Sequence, residues 1–164
     1  MICALVPDEQ AILRQTLAQI EAAFTDAPRP SNDDLLHAQC RDDNDIAQLY
    51  SVRHWRELTD ELVESEYAAL SFLSPDGFRH FIAAYIGFAP RNLASGAAAV
   101  DSTIWSLAPV FYADAGVRSF VVSKFASLTR SQGEAVVAFL TAVRELGDDR
   151  TGEEADEALS YWRR

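Results

Sequence analysis

The sequence contains a single lysine, Lys124, and only two cysteines, Cys3 and Cys40, in 164 residues. Two cysteines are too few for a disulfide framework, so we expect free thiols. The sequence has 14 lysine and arginine residues and 25 acidic residues, which gives a formal net charge of −11. The arginines form no stripe with interleaved aromatic residues, and an acidic surface repels phosphates. Nucleic acid binding is therefore not expected.

Long apolar runs and catalytic signatures are also missing. No stretch approaches the roughly 18 apolar residues that span a bilayer, and the opening segment MICALVPDEQ lacks the basic region of a secretory signal. There is no G-x-S-x-G turn, P-loop, dinucleotide-binding glycine fingerprint or H-E-x-x-H motif. These absences predict no membrane association, a cytoplasmic location and no cofactor.

The composition and the hydrophobic spacing predict one all-α domain that covers residues 1–164. Apolar residues make up 49% of the chain and charged residues 24%, as is usual for a soluble globular protein. Apolar residues recur at helical spacing, and no clear β alternation occurs. We expect a single compact bundle of about six to eight helices, with a loop at about 25–42, where two prolines break regular structure. Residues 110–119 are predicted to form a second loop.

The segment SFLSPDGFRHFIAAYIGFA has the clearest helix signals and predicts the central, aromatic-rich helix at about 74–88. Ser74 is a good N-cap, and Pro75 falls at the first helical position, where its missing N–H is no loss. One apolar face follows at spacings of three and four: Phe78, Phe81, Ile82, Tyr85 and Ile86. Ala83 and Gly87 are small and four residues apart, so a second element could approach closely there.

Other capping signals and core positions complete the prediction of the fold. Asp101 is the expected cap of a short helix, Thr129 and Gln132 form a capping box, and a second box is predicted at residues 151 and 154. For the segment HWRELTDELVESEYAALSFL we predict one or two short helices, with these core positions: His54, Trp55, Leu58, Leu62, Tyr67 and Leu70.

Two histidine positions are the candidates for chemistry. His37 and Cys40 have the spacing of a zinc half-site, with Asp43, His54 or His80 as possible further ligands. The sequence has no second half-site, so the favoured interpretation is that no metal binds. His80 follows Asp76 by one helical turn, which suits either acid–base chemistry or a surface ion pair. The ion pair is the favoured interpretation.

Acidic side chains are the candidates for partner binding. Residues 1–50 hold nine acids against three arginines, and such a surface attracts basic partners and raises their association rate. Plain solubility is the alternative explanation. The predicted partner-binding residues form one group in the loop and a second group in the following helical segment: Asp33, Asp34, Asp42, Asp43 and Asp45, then Glu57, Asp60, Glu61 and Glu64.

Residues 37–146 resemble an uncharacterised bacterial family of small helical proteins, a domain of unknown function. The resemblance is carried by HWRELTDELVESEYAALSFLSPDGFRHFIAAYI, with its Trp-Leu element and LSFLSP junction, and by FASLTRSQGEAVVAFLTAV, with its closing LTxxQ…FL helix. HAQC stands where relatives often have a histidine and a cysteine near an acidic run, but this chain has a single cysteine there. The resemblance implies a fold unit and little chemistry.

These observations favour a non-enzymatic protein-binding module as the function. An acidic immunity or antitoxin-like protein that neutralises a basic toxin partner fits the small size, the acidity and the missing catalytic motifs. Two alternatives stay open. One is a small hydrolase or metal-dependent enzyme that uses His37, Cys40 and nearby acids, and the other is a structural or scaffold subunit that dimerises through an apolar helix face. The oligomeric state is not predicted.

Overall fold

The computed structural model describes residues 7–38, 40 and 44–164. In these residues the chain is all-α, as predicted, with no β-strand and one isolated antiparallel bridge between Leu36 and Leu73. Cys3 lies outside the described residues.

The eight α-helices of the described part are α1 (Pro7–Phe24), α2 (Asp60–Ser65), α3 (Ala69–Phe72), α4 (Pro75–Phe88), α5 (Ala98–Ser106), α6 (Ala115–Phe125), α7 (Arg130–Leu146) and α8 (Asp149–Trp162). Six short 3₁₀-helices also occur there: Asn32–Asp34, Asn44–Ser51, Trp55–Glu57, Ala89–Arg91, Leu93–Ser95 and Pro109–Phe111.

Helix α4 is the centre of the bundle. Its N-cap is Ser74, whose hydroxyl accepts a hydrogen bond from the Gly77 amide at 3.1 Å. The predicted aromatic face is fully buried, and α4 contacts α1, α2, α3, α5, α6 and α7. The hydroxyl of Tyr85 reaches the backbone oxygen of Glu66 at 2.8 Å, so this buried polar group has its partner. The prediction that this stretch forms the core is confirmed.

The chain before α4 is held tightly against the start of that helix. The Ser74 amide donates to Leu35 O at 2.9 Å, and the Ser74 hydroxyl donates to Asp34 O at 2.6 Å. A Cβ added at Gly77 would lie 2.8 Å from Leu35 O, so only glycine permits this approach. The contact fixes the position of the 3₁₀-helix Asn32–Asp34, which carries two of the predicted partner-binding aspartates.

Helices α1, α7 and α8 pack side by side against the rest of the bundle. The predicted capping box is present at the start of α7, because Thr129 and Gln132 each accept from the other's backbone amide. Helix α7 ends at Leu146, and Gly147 is its C-cap. Gly147 is extended rather than left-handed, and a Cβ there would lie 2.7 Å from Val143 O. The turn into α8 is therefore tight.

Three predicted boundaries are wrong. Helix α5 begins at Ala98, and Asp101 lies in its first turn, paired with Arg150. Residues 110–119 are not all loop, because Asp114 caps α6 by accepting from the Val117 amide at 2.9 Å.

The third wrong boundary is the start of α8. Asp148 rather than Thr151 is the N-cap, since its carboxylate accepts the Thr151 amide at 2.8 Å. Thr151 is buried in the first turn, so no second capping box forms at residues 151 and 154.

Core positions in the segment before α4 are mostly as predicted. Trp55, Leu58 and Leu70 are buried, and the indole N–H of Trp55 donates to Phe24 O at 2.9 Å. Leu62 packs against the core while partly exposed. His54 is likewise half-buried. Tyr67 is a wrong prediction: it lies in the turn between α2 and α3 with 47% of its surface exposed.

The small residues Ala83 and Gly87 behave differently from each other. Ala83 is fully buried, as a close approach to α4 requires. A Cβ added at Gly87 would meet no atom of the described residues within 4 Å, so the predicted approach is absent there. A groove of about 260 Å³ opens beside Gly87, and its ends carry the ion pairs Arg56–Glu21 and Arg91–Asp60.

Candidate functional site

The first predicted acidic group lies at the start of the loop region. Asp33 and Asp34 are exposed in the 3₁₀-helix Asn32–Asp34, and the Asp34 carboxylate accepts the Ser31 hydroxyl at 2.7 Å. Asp45 belongs to the 3₁₀-helix Asn44–Ser51, whereas Asp42 and Asp43 lie outside the described residues.

The second predicted group lies at the start of α2, and some of its carboxylates already have partners. Glu57 accepts a hydrogen bond from the Arg53 amide at 2.9 Å. Asp60 forms a bidentate ion pair with Arg91, with N–O distances of 2.8 and 3.1 Å. Glu61 and Glu64 are exposed on α2. Hydrogen bonding to its own backbone amide and to the Thr59 hydroxyl lowers the pKa of Glu61, which keeps that carboxylate ionised.

A further acidic surface lies elsewhere, in a cleft of about 750 Å³ where α7 ends and α8 begins. We name this surface the α7–α8 cleft. Its acidic lining consists of five exposed carboxylates: Asp148, Asp149, Glu153, Asp156 and Glu157. Arg144 is the one basic residue in the described lining, and its guanidinium lies 3.5 Å from Asp156 and 3.8 Å from Glu145.

The geometry of the cleft follows from two glycines and a cap. The turn at Gly147 brings α8 back along α7, and a Cβ at Gly152 would lie 3.3 Å from Arg144 O. Hydrogen bonding to Thr151 lowers the pKa of Asp148. Along α8 the acids recur at helical spacing, so they share one face.

Sequence reasoning missed this cleft, although a signal was present. The stretch GDDRTGEEADE holds six acids and one arginine. It was interpreted only as a capping box and a helix start.

His37 and Cys40 lie beside the C-terminal half of α6. The His37 ring packs on Phe120 with the ring centroids 3.9 Å apart, and its backbone amide donates to Phe72 O at 2.9 Å. The Cys40 amide donates to His37 O at 2.8 Å, and its side chain is half-buried. Within the residues the structure describes, no group of three or more His, Cys, Asp or Glu side chains is placed to hold a metal. Asp43, one of the possible further ligands, lies outside them.

Lys124 is the buried cation of this region. Its ammonium donates to Leu70 O at 2.6 Å and to Ser71 O at 3.2 Å, and it lies 4.1 Å from the ring centroid of Phe120. Burial lowers the pKa of Lys124 to about 7, while the charge of Cys40 acts in the opposite direction. The two carbonyls belong to the last turn of α3, which has no intrahelical donors for them. Lys124 therefore joins α6 to the end of α3.

His80 does not pair with Asp76, so both predicted roles for that pair are wrong. The side chain of His80 is buried, whereas Asp76 is exposed. The His80 Nδ1 atom lies 2.8 Å from Ala27 O, and Nε2 has no hydrogen-bond partner. Burial is the main cause that lowers the pKa of His80. A neutral ring that donates from Nδ1 fits this environment.

Comparison with known families shows which family the chain belongs to. Residues 13–164 match the profile of a family of unknown function, DUF6714. The chain belongs to the DUF6714 family. No curated protein and no solved structure gives a significant match. The resemblance seen in the sequence is therefore confirmed at the level of a family of unknown function.

The two grooves described above lie on the surface of this DUF6714 chain. Neither His80 nor Lys124 lines either of the two grooves described above. No helix in the described ranges is long and apolar enough to cross a bilayer. The α7–α8 cleft combines exposure, concavity and an excess of negative charge, so it is the candidate functional site.

Proposed function

We propose that this DUF6714 chain is a non-enzymatic protein-binding module that binds a basic partner in the α7–α8 cleft. The observation that carries the proposal is the lining, in which five exposed carboxylates face the single guanidinium of Arg144. That guanidinium already lies near two carboxylates. The lining therefore holds five carboxylates against one guanidinium, a formal excess of four negative charges.

The negative charge of the cleft is expected to attract the basic groups of a partner. Charges of one sign in a concave surface focus the field and raise the local concentration of oppositely charged groups, which increases association rates by roughly 10 to 1,000-fold. Each exposed carboxylate contributes only about 0–1 kcal/mol on its own. When a partner covers such a pair, loss of one member costs about 2–5 kcal/mol. Lysine and arginine side chains of a partner are the groups that fit.

The acidic residues predicted from the sequence have a secondary part in this proposal. Asp33, Glu61 and Glu64 are exposed outside the cleft, where solvent screens them. Asp60 and Glu57 already have partners within the chain. We infer that this group adds to long-range steering, while the cleft supplies the contact itself.

More specifically, we propose that the chain is an acidic immunity or antitoxin-like protein that neutralises a basic toxin. It is supported by the net charge of −11 on 164 residues and by the acidic cleft. An inhibitor of this kind needs no catalytic group, because covering the basic active surface of a toxin is sufficient.

The test compares two triple variants with the same change in charge. The cleft triple is Glu153→Gln, Asp156→Asn and Glu157→Gln. The control triple, outside the cleft, is Asp33→Asn, Glu61→Gln and Glu64→Gln. A partner captured from the source organism is titrated against each variant at about 0.05 M and about 0.5 M salt. The cleft triple is expected to raise the dissociation rate at least tenfold, whereas the control triple slows association only at low salt.

Three outcomes decide the proposal. A loss of affinity confined to the control triple would move the contact to the predicted aspartates and glutamates. Binding that ignores salt and both triples would end the basic-partner proposal. The toxin form is tested by co-expression: the chain is expected to restore growth of cells that produce the partner, and the cleft triple is expected not to.

A further inference from the structure

Four of the five exposed large apolar side chains of the described residues lie close together in sequence, within residues 105–117. Trp105, Val110, Phe111 and Val117 are 47%, 56%, 39% and 42% exposed. They come from α5, the 3₁₀-helix Pro109–Phe111 and the first turn of α6, and the 3₁₀-helix contacts both α5 and α6. The rings of Trp105 and Phe111 meet edge to face, with centroids 6.3 Å apart. We name these four residues the α5–α6 face.

The charge of the surrounding chain differs from that of the rest of the protein. Residues 92–129 hold two acids and two bases and are neutral, whereas the other 126 residues hold 23 acids and 12 bases and carry the whole −11. Asp101 pairs with Arg150, and Lys124 is buried. The segment therefore presents only Asp114 and Arg118 as exposed charges without an ion-pair partner in the described residues.

These two charges have opposite signs and lie one helical turn apart at the edge of the face. Asp114 is held as the cap of α6, and Arg118 donates to Tyr112 O at 3.1 Å. If two copies of α6 meet antiparallel about a twofold axis, each Asp114 faces the other copy's Arg118. The edge is therefore complementary to itself, as an isologous contact requires.

We propose that the α5–α6 face is the contact with a second copy of this chain, which forms a twofold dimer. A highly acidic molecule repels its own copy, so self-association is favoured in a segment without net charge, and residues 92–129 are such a segment. A basic partner would gain no electrostatic attraction here. Homodimer interfaces are rich in Trp, Phe and other apolar groups and poor in Asp and Glu, which matches the composition of the face.

The dimer does not depend on the proposed binding of a basic partner. The four residues of the α5–α6 face share no member with the lining of the α7–α8 cleft. The two contacts also differ in physics, since one is apolar and the other is charged. Salt therefore separates them: high salt is expected to weaken the charged contact and to leave the apolar one intact or slightly tighter.

The experiment measures the mass of the full chain by sedimentation equilibrium at low and high salt. Trp105→Gln and Val117→Arg are expected to raise the dimer dissociation constant at least tenfold. Tyr67→Gln is the matched control, because Tyr67 is exposed to the same 47% and lies outside the face. It is expected to leave the dissociation constant unchanged. Circular dichroism of each variant shows whether its helices remain intact.

Arg118→Glu tests the proposed edge of the contact. The substitution places a negative charge beside Asp114 of the other copy. The dimer is therefore expected to weaken at low salt and to recover at high salt. A wild-type chain that stays monomeric at about 0.1 mM would overturn the proposal, since a dissociation constant above that level is typical of weak encounters. A dimer that ignores Trp105→Gln and Val117→Arg, or that dissociates in high salt, would also overturn it.

Discussion

The inner face of α4 and the lining of the α7–α8 cleft use side chains in opposite ways. Phe81 and Tyr85 on α4 are fully buried and surrounded by five or more helices, whereas every carboxylate of the cleft is exposed. Packing energy depends on the area removed from water, while an exposed charge acts mainly through its field. Substitutions on α4 are therefore expected to change stability, and substitutions in the cleft are expected to change binding.

The largest expected effect is on the α4 side of the comparison. Phe81→Ala is expected to lower the free energy of unfolding by about 3–5 kcal/mol, because it removes a large aromatic side chain from a closely packed core. Urea denaturation of both proteins measures this loss, and Phe81→Leu should recover part of it. A loss below about 1 kcal/mol would show that the site collapses around the truncated residue or is less well packed than described.

The second prediction concerns the buried charge between α3 and α6. Burial lowers the pKa of Lys124 to about 7, against about 10.4 in the unfolded chain. Between these values the unfolded chain binds more protons than the folded one, so stability is expected to rise with pH from about 7 to about 9. The slope for one proton cannot exceed about 1.4 kcal/mol per pH unit.

Unfolding by urea at several pH values measures this slope. Lys124→Met should flatten it while keeping most of the apolar contact with Phe120 and Phe78. If the wild-type stability stays level or falls from pH 7 to pH 9, the ammonium is better stabilised in the fold than its burial indicates. The pH comparison tests the charge separately from any change in packing.

The third prediction concerns the buried side chain of His80. Because burial lowers its folded-state pKa below the ordinary value, the unfolded chain takes up a proton that the folded chain resists. Stability is therefore expected to fall as the pH drops from about 6.5 to about 5, by less than about 1.4 kcal/mol per pH unit. His80→Asn, which can still donate to Ala27 O, should flatten this acid limb in thermal melts followed at each pH. An unchanged slope in the variant would assign the acid limb to other groups.

The smallest expected effect on stability is in the cleft. Glu153→Gln, Asp156→Asn and Glu157→Gln together are expected to change the free energy of unfolding by no more than about 0.5 kcal/mol, as for other surface substitutions. Urea denaturation beside Phe81→Ala makes the comparison direct. A loss of several kcal/mol would mean that these carboxylates support the α7–α8 packing, and the contrast between the two regions would fail.

Local signals predicted the parts of the fold that depend on neighbours in sequence. Ser74, Pro75 and the aromatic face of α4 were predictable because a cap, a first-turn proline and a repeat of three and four act within one helix. The same holds for Thr129 and Gln132. Where two capping candidates competed, as at Asp148 and Thr151, local pattern alone gave the wrong choice, since burial of Thr151 against neighbouring helices decides it.

The candidate site was less predictable, for a physical reason. Charge can be counted in the sequence, so the acidic character of the chain was known, and so were the exposed Asp33 and Glu61. Concavity depends on how α7 and α8 cross at Gly147 and Gly152, which brings residues 144 and 156 together. Such a crossing depends on packing between helices rather than on any local pattern.

The sequence by itself determined an all-α chain, its central helix and its strongly negative charge, because helix periodicity, capping chemistry and ionisation are local properties of residues. Only the tertiary structure decided that Lys124 is buried against Leu70 O, that His80 faces Ala27 O rather than Asp76, and that Trp105 and Phe111 meet on the surface. Each of these contacts joins residues from different elements. They exist only once the packing of the core has fixed which face of each helix is covered.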